Sequence, residues 1–362
     1  MFTQTAARLL GLAEAWVTPH GIDRYVELVA PRFSTSEVRA RIDEVRRPTP
    51  DSVTLTLAPN RQWPPFEAGQ HTQLTVEIDG VRHTRCYSMC SSAHRRDGRF
   101  ELTVKAHPEG LVSRHLVDHA RPGVIVGLSR PQGDFTLPDP RPERLLLISG
   151  GSGITPVLSM LRTLCDEGHE GEVTFVHYCL TEHDQIAGDE PSDLAARFPN
   201  IRAVRVFTDQ PGSGDLDGYF DEHQLAAADP HWREASVFVC GPAPLMDAVT
   251  DHYAAAGLAD HVVREAFTLT QFVGEAGDVG GTLRFDRSAV DIASDGTPLL
   301  EQAERAGLRP DHGCRMGICH TCTRRLAGGA VRNVVTGEVI DEPDVEIRLC
   351  VNAPVGDVVV DL

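Results

Sequence analysis

Four cysteines near the C-terminal end carry the most specific chemical signal in this 362-residue chain. Cys314, Cys319 and Cys322 follow a C-x4-C-x2-C pattern, and Cys350 comes after a further 27 residues. Three thiolates from one tight loop and a fourth from a distant segment match the ligand arrangement of a plant-type [2Fe-2S] centre. Gly313 and Gly317 let that loop curl, so that backbone N–H groups point at sulfur and help set the potential. A four-cysteine zinc site is the competing reading, but such sites usually pair two short knuckles. Cys165 and Cys179, in apolar stretches, read as small buried hydrophobes. Cys86 and Cys90 have no assignable role.

Two other groups suit phosphates and aromatic rings. Gly150-Gly151-Ser152-Gly153-Ile154-Thr155-Pro156 follows an apolar strand and opens a helix. Glycines there let a pyrophosphate approach the backbone, and the helix N-terminus favours its charge. Cys240-Gly241-Pro242 ends a later strand of the same type. Ser152 is no hydrolase nucleophile, because the final glycine of G-x-S-x-G is missing. Upstream, Arg85-Cys86-Tyr87-Ser88 closes an extended run, and alternation puts Arg85 and Tyr87 on one face. A guanidinium there can pair with a phosphate, and a tyrosine ring can cover an isoalloxazine. Gly110-Leu111-Val112-Ser113 starts a helix after Thr103-Val104-Lys105 and offers free N–H groups to a second phosphate.

The elements that must position these residues fall into successive segments. Residues 1–38 predict a helical extension, and residues 39–138 alternate like the short strands of an antiparallel β-barrel. Residues 139–273 alternate apolar strands with helical stretches, which implies an α/β domain with a parallel sheet covered on both faces. Residues 274–281 hold four glycines and read as a linker; residues 282–362 read as a small α+β domain. The expected fold class is therefore multidomain.

Charge narrows the partners. The chain has 52 acidic and 34 basic residues, a balance of −18, and residues 139–278 alone hold 24 acidic and 8 basic ones. Such a surface excludes nonspecific binding to nucleic acid. Met1 to Thr18 lacks a long apolar run, and Leu145 to Leu161 is broken by glycines and Pro156, so neither a secretory signal nor a spanning helix is predicted. The expected localisation is cytoplasmic. The 16 histidines show no metal-binding spacing, and His115 and His119 lack a third ligand.

In their order, Arg-x-Tyr-Ser, Gly-x-Val-Ser, Pro131-Gln132-Gly133-Asp134-Phe135, the glycine loop and Cys-Gly-Pro resemble the ferredoxin–NADP reductase superfamily. With the C-terminal cysteines, the chain looks like the branch holding phenylacetate-oxygenase reductases and fatty-acyl desaturase reductases. The resemblance covers residues 38–362 and implies FAD, NAD(P)H and a [2Fe-2S] cluster in a β-grasp-like ferredoxin domain. It implies that Arg85 holds the pyrophosphate, Tyr87 lies against the flavin and Ser88 bonds near N5. Lys105 and Gly110, Leu111, Val112 and Ser113 complete the flavin site; Gly150, Gly151, Gly153, Thr155, Pro156, Gly241 and Pro242 line the nucleotide. Cys240 would sit beside the nicotinamide carbon that gives up hydride, so Tyr87, Ser88 and Cys240 are the catalytic candidates. Cys314, Cys319, Cys322 and Cys350 are the metal ligands.

Relatives using NADPH typically carry an arginine after the second strand of the nucleotide domain. Here the segment is Leu180-Thr181-Glu182-His183-Asp184, so NADH is expected. The expected partner is an electron-accepting oxygenase or desaturase, a fatty-acyl desaturase first. A ring-hydroxylating oxygenase, a cytochrome P450, or a redox-sensing role without turnover are the alternatives. The extension 1–38 is expected to pack on the barrel, with docking to a membrane partner as the other possibility.

Overall fold

The computed structural model describes residues 37–108, 110–267, 280–312, 317, 321–334 and 337–362. Residues 1–36 of the expected helical extension, nearly all of the glycine linker, and Cys314 and Cys319 lie outside the described residues, and Val38, expected at the end of that extension, instead begins a strand.

The first sheet is formed by β1 (Val38–Arg46), β2 (Ser52–Pro59), β3 (His71–Ile78), β4 (Val81–Ser88), β5 (Phe100–Lys105) and β6 (Ile125–Leu128), in the order β4-β3-β6-β1-β2-β5. Its ladders are antiparallel, and a bridge between Met89 and Leu102 brings the end of β4 back to β5. Val53, Leu55 and Leu57 of β2 point into the barrel, where Leu74, Phe100 and Leu102 meet them. Helix α1 (Leu111–His119) closes one end by inserting Val112 and Leu116.

The second domain is a parallel sheet of β7 (Arg144–Gly150), β8 (Glu172–Cys179), β9 (Ile201–Phe207), β10 (Leu216–Asp217), β11 (Ser236–Cys240) and β12 (Val262–Glu265), ordered β10-β9-β8-β7-β11-β12. Both faces of β7 are covered, which is why its sequence is apolar without alternation. Leu145 and Leu147 pack with Val157 and Leu161 of α2 (Ile154–Glu167), while α3 (Glu190–Arg197) adds Leu194. Leu146 and Ile148 face Leu225 of α4 (Glu222–Ala228) and Met246, Val249 and Tyr253 of α5 (Ala243–Ala255). Strand order reverses at β7, and the crevice beyond the carboxyl ends of β7 and β11 is where such sheets bind ligands.

The third sheet holds β13 (Thr282–Phe285), β14 (Val290–Ala293), β15 (Thr323–Asn333), β16 (Val339–Ile340), β17 (Val345–Arg348) and β18 (Asn352–Val360). β18 is central, parallel to β13 and antiparallel to β15, and α6 (Leu299–Arg305) packs Leu299, Leu300 and Ala303 on the sheet. This is the β-grasp-like arrangement expected from the sequence.

One buried histidine makes stability pH-dependent. His177 of β8 is buried, with Nδ1 2.8 Å from Ser149 Oγ and Nε2 unpartnered. Burial, only partly opposed by the Ser149 contact, lowers its pKa to about 4. The unfolded chain takes the proton near pH 6.5 and the folded chain does not, so stability falls as pH drops from 6.5 to 4. The loss is about 3 kcal/mol. His177→Gln keeps a partner for Ser149 but has no proton to bind, so its stability should fall less over that window. Parallel curves of unfolding free energy against pH for the two proteins would refute this.

Candidate functional site

At the end of β7, Gly150 leads into a short 3-10 turn, and α2 starts at Ile154 with no side chain capping its N-terminus. The first-turn N–H groups are thus aimed at the crevice for an anion. Pro156 is the third residue of α2 rather than the first, still within the turn where a missing N–H costs nothing. Thr155 Oγ1 turns back to Ser152 O at 3.1 Å. The close approach that demands glycine is at Gly153, where a Cβ would stand 2.2 Å from Cys240 O and 2.6 Å from Gly241 N. The Cys240-Gly241-Pro242 turn and the glycine loop therefore pack backbone to backbone, which brings the two motifs to one place.

Cys240 is fully buried, in register with Ser149 of β7 and Glu265 of β12. Burial first, and then the Glu265 charge, push its thiol well above the usual range, so it stays neutral. It offers a soft, uncharged wall rather than a nucleophile.

The other half comes from the barrel. In the β3–β4 ladder, Arg85 faces Leu74, Tyr87 faces Thr72 and Ser88 faces His71. Arg85 and Tyr87 are half-buried; Arg85 donates to Thr84 O at 2.8 Å, and burial raises the Tyr87 phenol, which stays protonated. Gly110 caps α1 without a side-chain bond, and Leu111 is exposed. Val112 points into the barrel core, so any contribution to an anion is through its backbone. Ser113 Oγ accepts from His107 N and donates to Gly110 O. Lys105 is held 2.8 Å from Asp51.

Where the two domains meet, residues absent from the sequence-based set appear. Ser88 Oγ lies 3.5 Å from Glu265 Oε2, and His71 Nδ1 lies 3.7 Å from Glu265 Oε1. All three are buried, and both ring nitrogens of His71 lack a hydrogen-bond partner among the described residues. An orphaned buried polar group is costly, and beside Tyr87 and Ser88 it fits a site completed by a bound polar ring system. The signal for Glu265 was its place as the acidic end of an apolar strand, Val262-Val263-Arg264-Glu265; nothing local marks His71.

Helix α2 is also fastened to the barrel. Arg162 donates to Cys90 O at 2.7 Å and Glu101 at 3.1 Å, and forks onto Glu190 with two 2.6 Å bonds. Ser159 Oγ donates to Ser91 O, and Ala93 N donates to Thr163 Oγ1.

In the third domain, Cys322 and Cys350 are buried at neighbouring strand ends. Thr323 pairs with Arg348, and Leu349 N donates to Cys322 O at 3.2 Å. Folding thus removes the sequence gap between those two cysteines. Gly317 N–H donates to Cys350 Sγ at 3.2 Å, and Thr323 Oγ1 is buried with no partner among the described residues. Both features fit a group with acceptor sulfurs. No helix among the described residues is long and apolar enough to cross a membrane.

A barrel domain joined to a parallel-sheet domain, followed by a small domain with two buried cysteines at neighbouring strand ends, is the arrangement of an iron–sulfur flavoprotein oxidoreductase. Family models match an oxidoreductase FAD-binding domain at residues 49–137, an oxidoreductase NAD-binding domain at 147–251 and a 2Fe-2S iron-sulfur cluster binding domain at 284–355. The NADPH oxidoreductase of Mycobacterium tuberculosis is 38% identical over 355 residues, covering 97% of this chain and 91% of that protein. The glycine betaine monooxygenase reductase subunit of Pseudomonas aeruginosa is 31% identical, covering 82% and 87%. The solved structure of phthalate dioxygenase reductase aligns with TM-score 0.62 and 26% identity, over 90% of this chain and 98% of that one. The chain belongs to the ferredoxin–NADP reductase superfamily, as an NAD(P)H-dependent oxidoreductase with FAD and [2Fe-2S] domains in one polypeptide.

Proposed function

We propose that this protein is the reductase of an oxygenase system, taking reducing equivalents from NADH and delivering them singly to a partner oxygenase. The observation that carries the reading is the junction where Cys240 and Glu265 of the nucleotide sheet meet Ser88 and His71 of the barrel. When bound, FAD supplies hydride acceptance and one-electron release to the [2Fe-2S] cluster. Arg85 and the N-terminus of α1 would hold its pyrophosphate, Tyr87 would cover the ring, and Ser88 would bond near N5. The Gly150–Pro156 loop would bind the nicotinamide dinucleotide, and Cys240 would keep water from the transferring carbon. Glu265 Oε2 accepts from the Ser88 hydroxyl at 3.5 Å and would orient it, with His71 beside the same carboxylate. Cys314, Cys319, Cys322 and Cys350 would ligate the cluster.

Names of the relatives support an oxygenase acceptor: a glycine betaine monooxygenase and a phthalate dioxygenase are served by two of them. None of these names points to the fatty-acyl desaturase first expected from the sequence. NADH-dependent reduction of cytochrome c, and turnover of a reconstituted Rieske-type or di-iron oxygenase, test this reading. Failure with every oxygenase and success with a desaturase would reverse it.

The nucleotide preference rests on charge. Glu182 is exposed just beyond β8, with Asp184 capping Thr181 and Asp209 beyond β9. The nearby Arg205 is engaged by Asp215 and Asp189. A 2′-phosphate would meet carboxylates, so kcat/KM for NADH should exceed that for NADPH by about tenfold, ~1.4 kcal/mol. Glu182→Arg should move the ratio toward NADPH. The name of the mycobacterial relative favours the opposite preference. Equal or NADPH-favouring kcat/KM in the wild type would decide for it.

A further inference from the structure

In the third domain Arg324 and Arg325 approach Asp311 and Asp344, whereas Arg348, like Arg309, forms no ion pair among the described residues. It is half-buried at the end of β17, opposite Thr323, two residues before Cys350. Its backbone is pinned from the other side by Asn352 Nδ2, which donates to Arg348 O at 2.9 Å. From that fixed base its guanidinium reaches across to Gly317, and Nη1 donates to Gly317 O.

Gly317 is the residue whose own N–H donates to Cys350 Sγ. Its φ is +76°, and a Cβ there would strike Val351 Cγ1 at 2.8 Å, so the loop can pass only as glycine. Gly317 itself has no side chain to hold it, and the contact from Arg348 restrains its backbone on the same residue that presents its N–H to sulfur. Reduction adds one negative charge to a centre already ringed by thiolates. A cation with no carboxylate partner among the described residues and N–H···S bonds both favour that reduced form, and both belong to the factors that set cluster potentials.

We propose that Arg348 is a positioning residue of the iron–sulfur site: it locks Gly317 so that its N–H stays on Cys350 Sγ, and its charge raises the potential of the cluster. The inference rests on Cys350 being a cluster ligand, as proposed above.

The test is an EPR-monitored redox titration of the full-length holoprotein, with the flavin potential followed optically in the same samples. In Arg348→Gln and Arg348→Met the reduced-to-oxidised ratio of the cluster at fixed poise should fall about tenfold, ~59 mV for one electron. Arg348→Lys keeps the charge but loses the rigid donor fork, and should fall about threefold. The flavin potential should not move. A merely structural arginine would lower cluster content or melting temperature while leaving the potential of the loaded cluster unchanged, which would overturn the proposal. If neither neutral variant retains a cluster, Arg348→Lys decides, and a wild-type potential there overturns it. A wild-type protein without a [2Fe-2S] signal, or Cys350→Ala retaining one, would instead refute the ligand assignment.

Discussion

Cys350→Ala is expected to abolish the [2Fe-2S] signal while leaving a yellow, NADH-oxidising protein. Cys350 accepts from Gly317 N–H and lies beside Cys322 through the β15–β17 pairing, so the proposed ligand and the sulfur that takes the Gly317 N–H are lost together. Three thiolates do not replace four around two irons. The barrel and nucleotide domain have hydrophobic cores of their own, separate from the core around Cys350. Ferricyanide reduction, which can draw on the flavin directly, should therefore persist near wild-type rates, whereas cytochrome c reduction should fall by about a hundredfold or more, as expected for loss of a redox centre in the path. The measurements are iron and acid-labile sulfide content, the visible spectrum and the two assays side by side. Equal loss of both activities would mean that the third domain is not downstream of the flavin.

Arg162→Ala should be the most destabilising single change in the first two domains. The side chain is mostly buried and joins Glu190 of α3, the Cys90 carbonyl and Glu101 of the barrel. Burial pulls against the charge of Arg162, but its ion pairs outweigh that, and the guanidinium is held above its usual pKa. Burial likewise works against the Glu101 carboxylate, which Arg162 and then Arg95 overcome to hold it below the ordinary range. Removing the arginine leaves the half-buried Glu101 with Arg95 and the more distant charge of Arg46, and breaking a largely desolvated pair costs up to about 3–5 kcal/mol. For a domain of this size that is on the order of 10 °C in melting temperature. Function should suffer in a specific way, because the same helix presents its N-terminus to the crevice proposed to bind the nucleotide. KM for NADH should rise more than kcat falls, since Arg162 touches neither flavin nor nicotinamide. Arg162→Lys should recover only part of the stability, because a single ammonium cannot fork onto Glu190. A melting temperature within 2 °C of wild type would sink the account.

These expectations separate two kinds of information. The cofactor-binding classes of the domains were legible from the cysteine spacing, the Gly150–Pro156 loop and the Arg85–Ser88 strand end, because each of these motifs lies within a few consecutive residues. The domain types were readable too: alternation in the barrel strands and an apolar β7 covered on both faces are local consequences of burial.

Tertiary structure decided which of these local pieces cooperate. Ser88 and Glu265 are 177 positions apart and Arg162 is 61 from Glu101, distances over which no periodicity reports. His71 lies in an alternating strand, and only the fold buries both its ring nitrogens without a hydrogen-bond partner among the described residues, 3.7 Å from Glu265. Gly153 looked like a phosphate-binding glycine, and the fold adds that its missing Cβ is what lets the Cys240 turn approach. Residue types and short spacings set what chemistry the chain can perform, because ligand and cofactor geometry is local. Packing set where that chemistry happens and which charges govern it, because burial and long-range pairing exist only once the chain has folded.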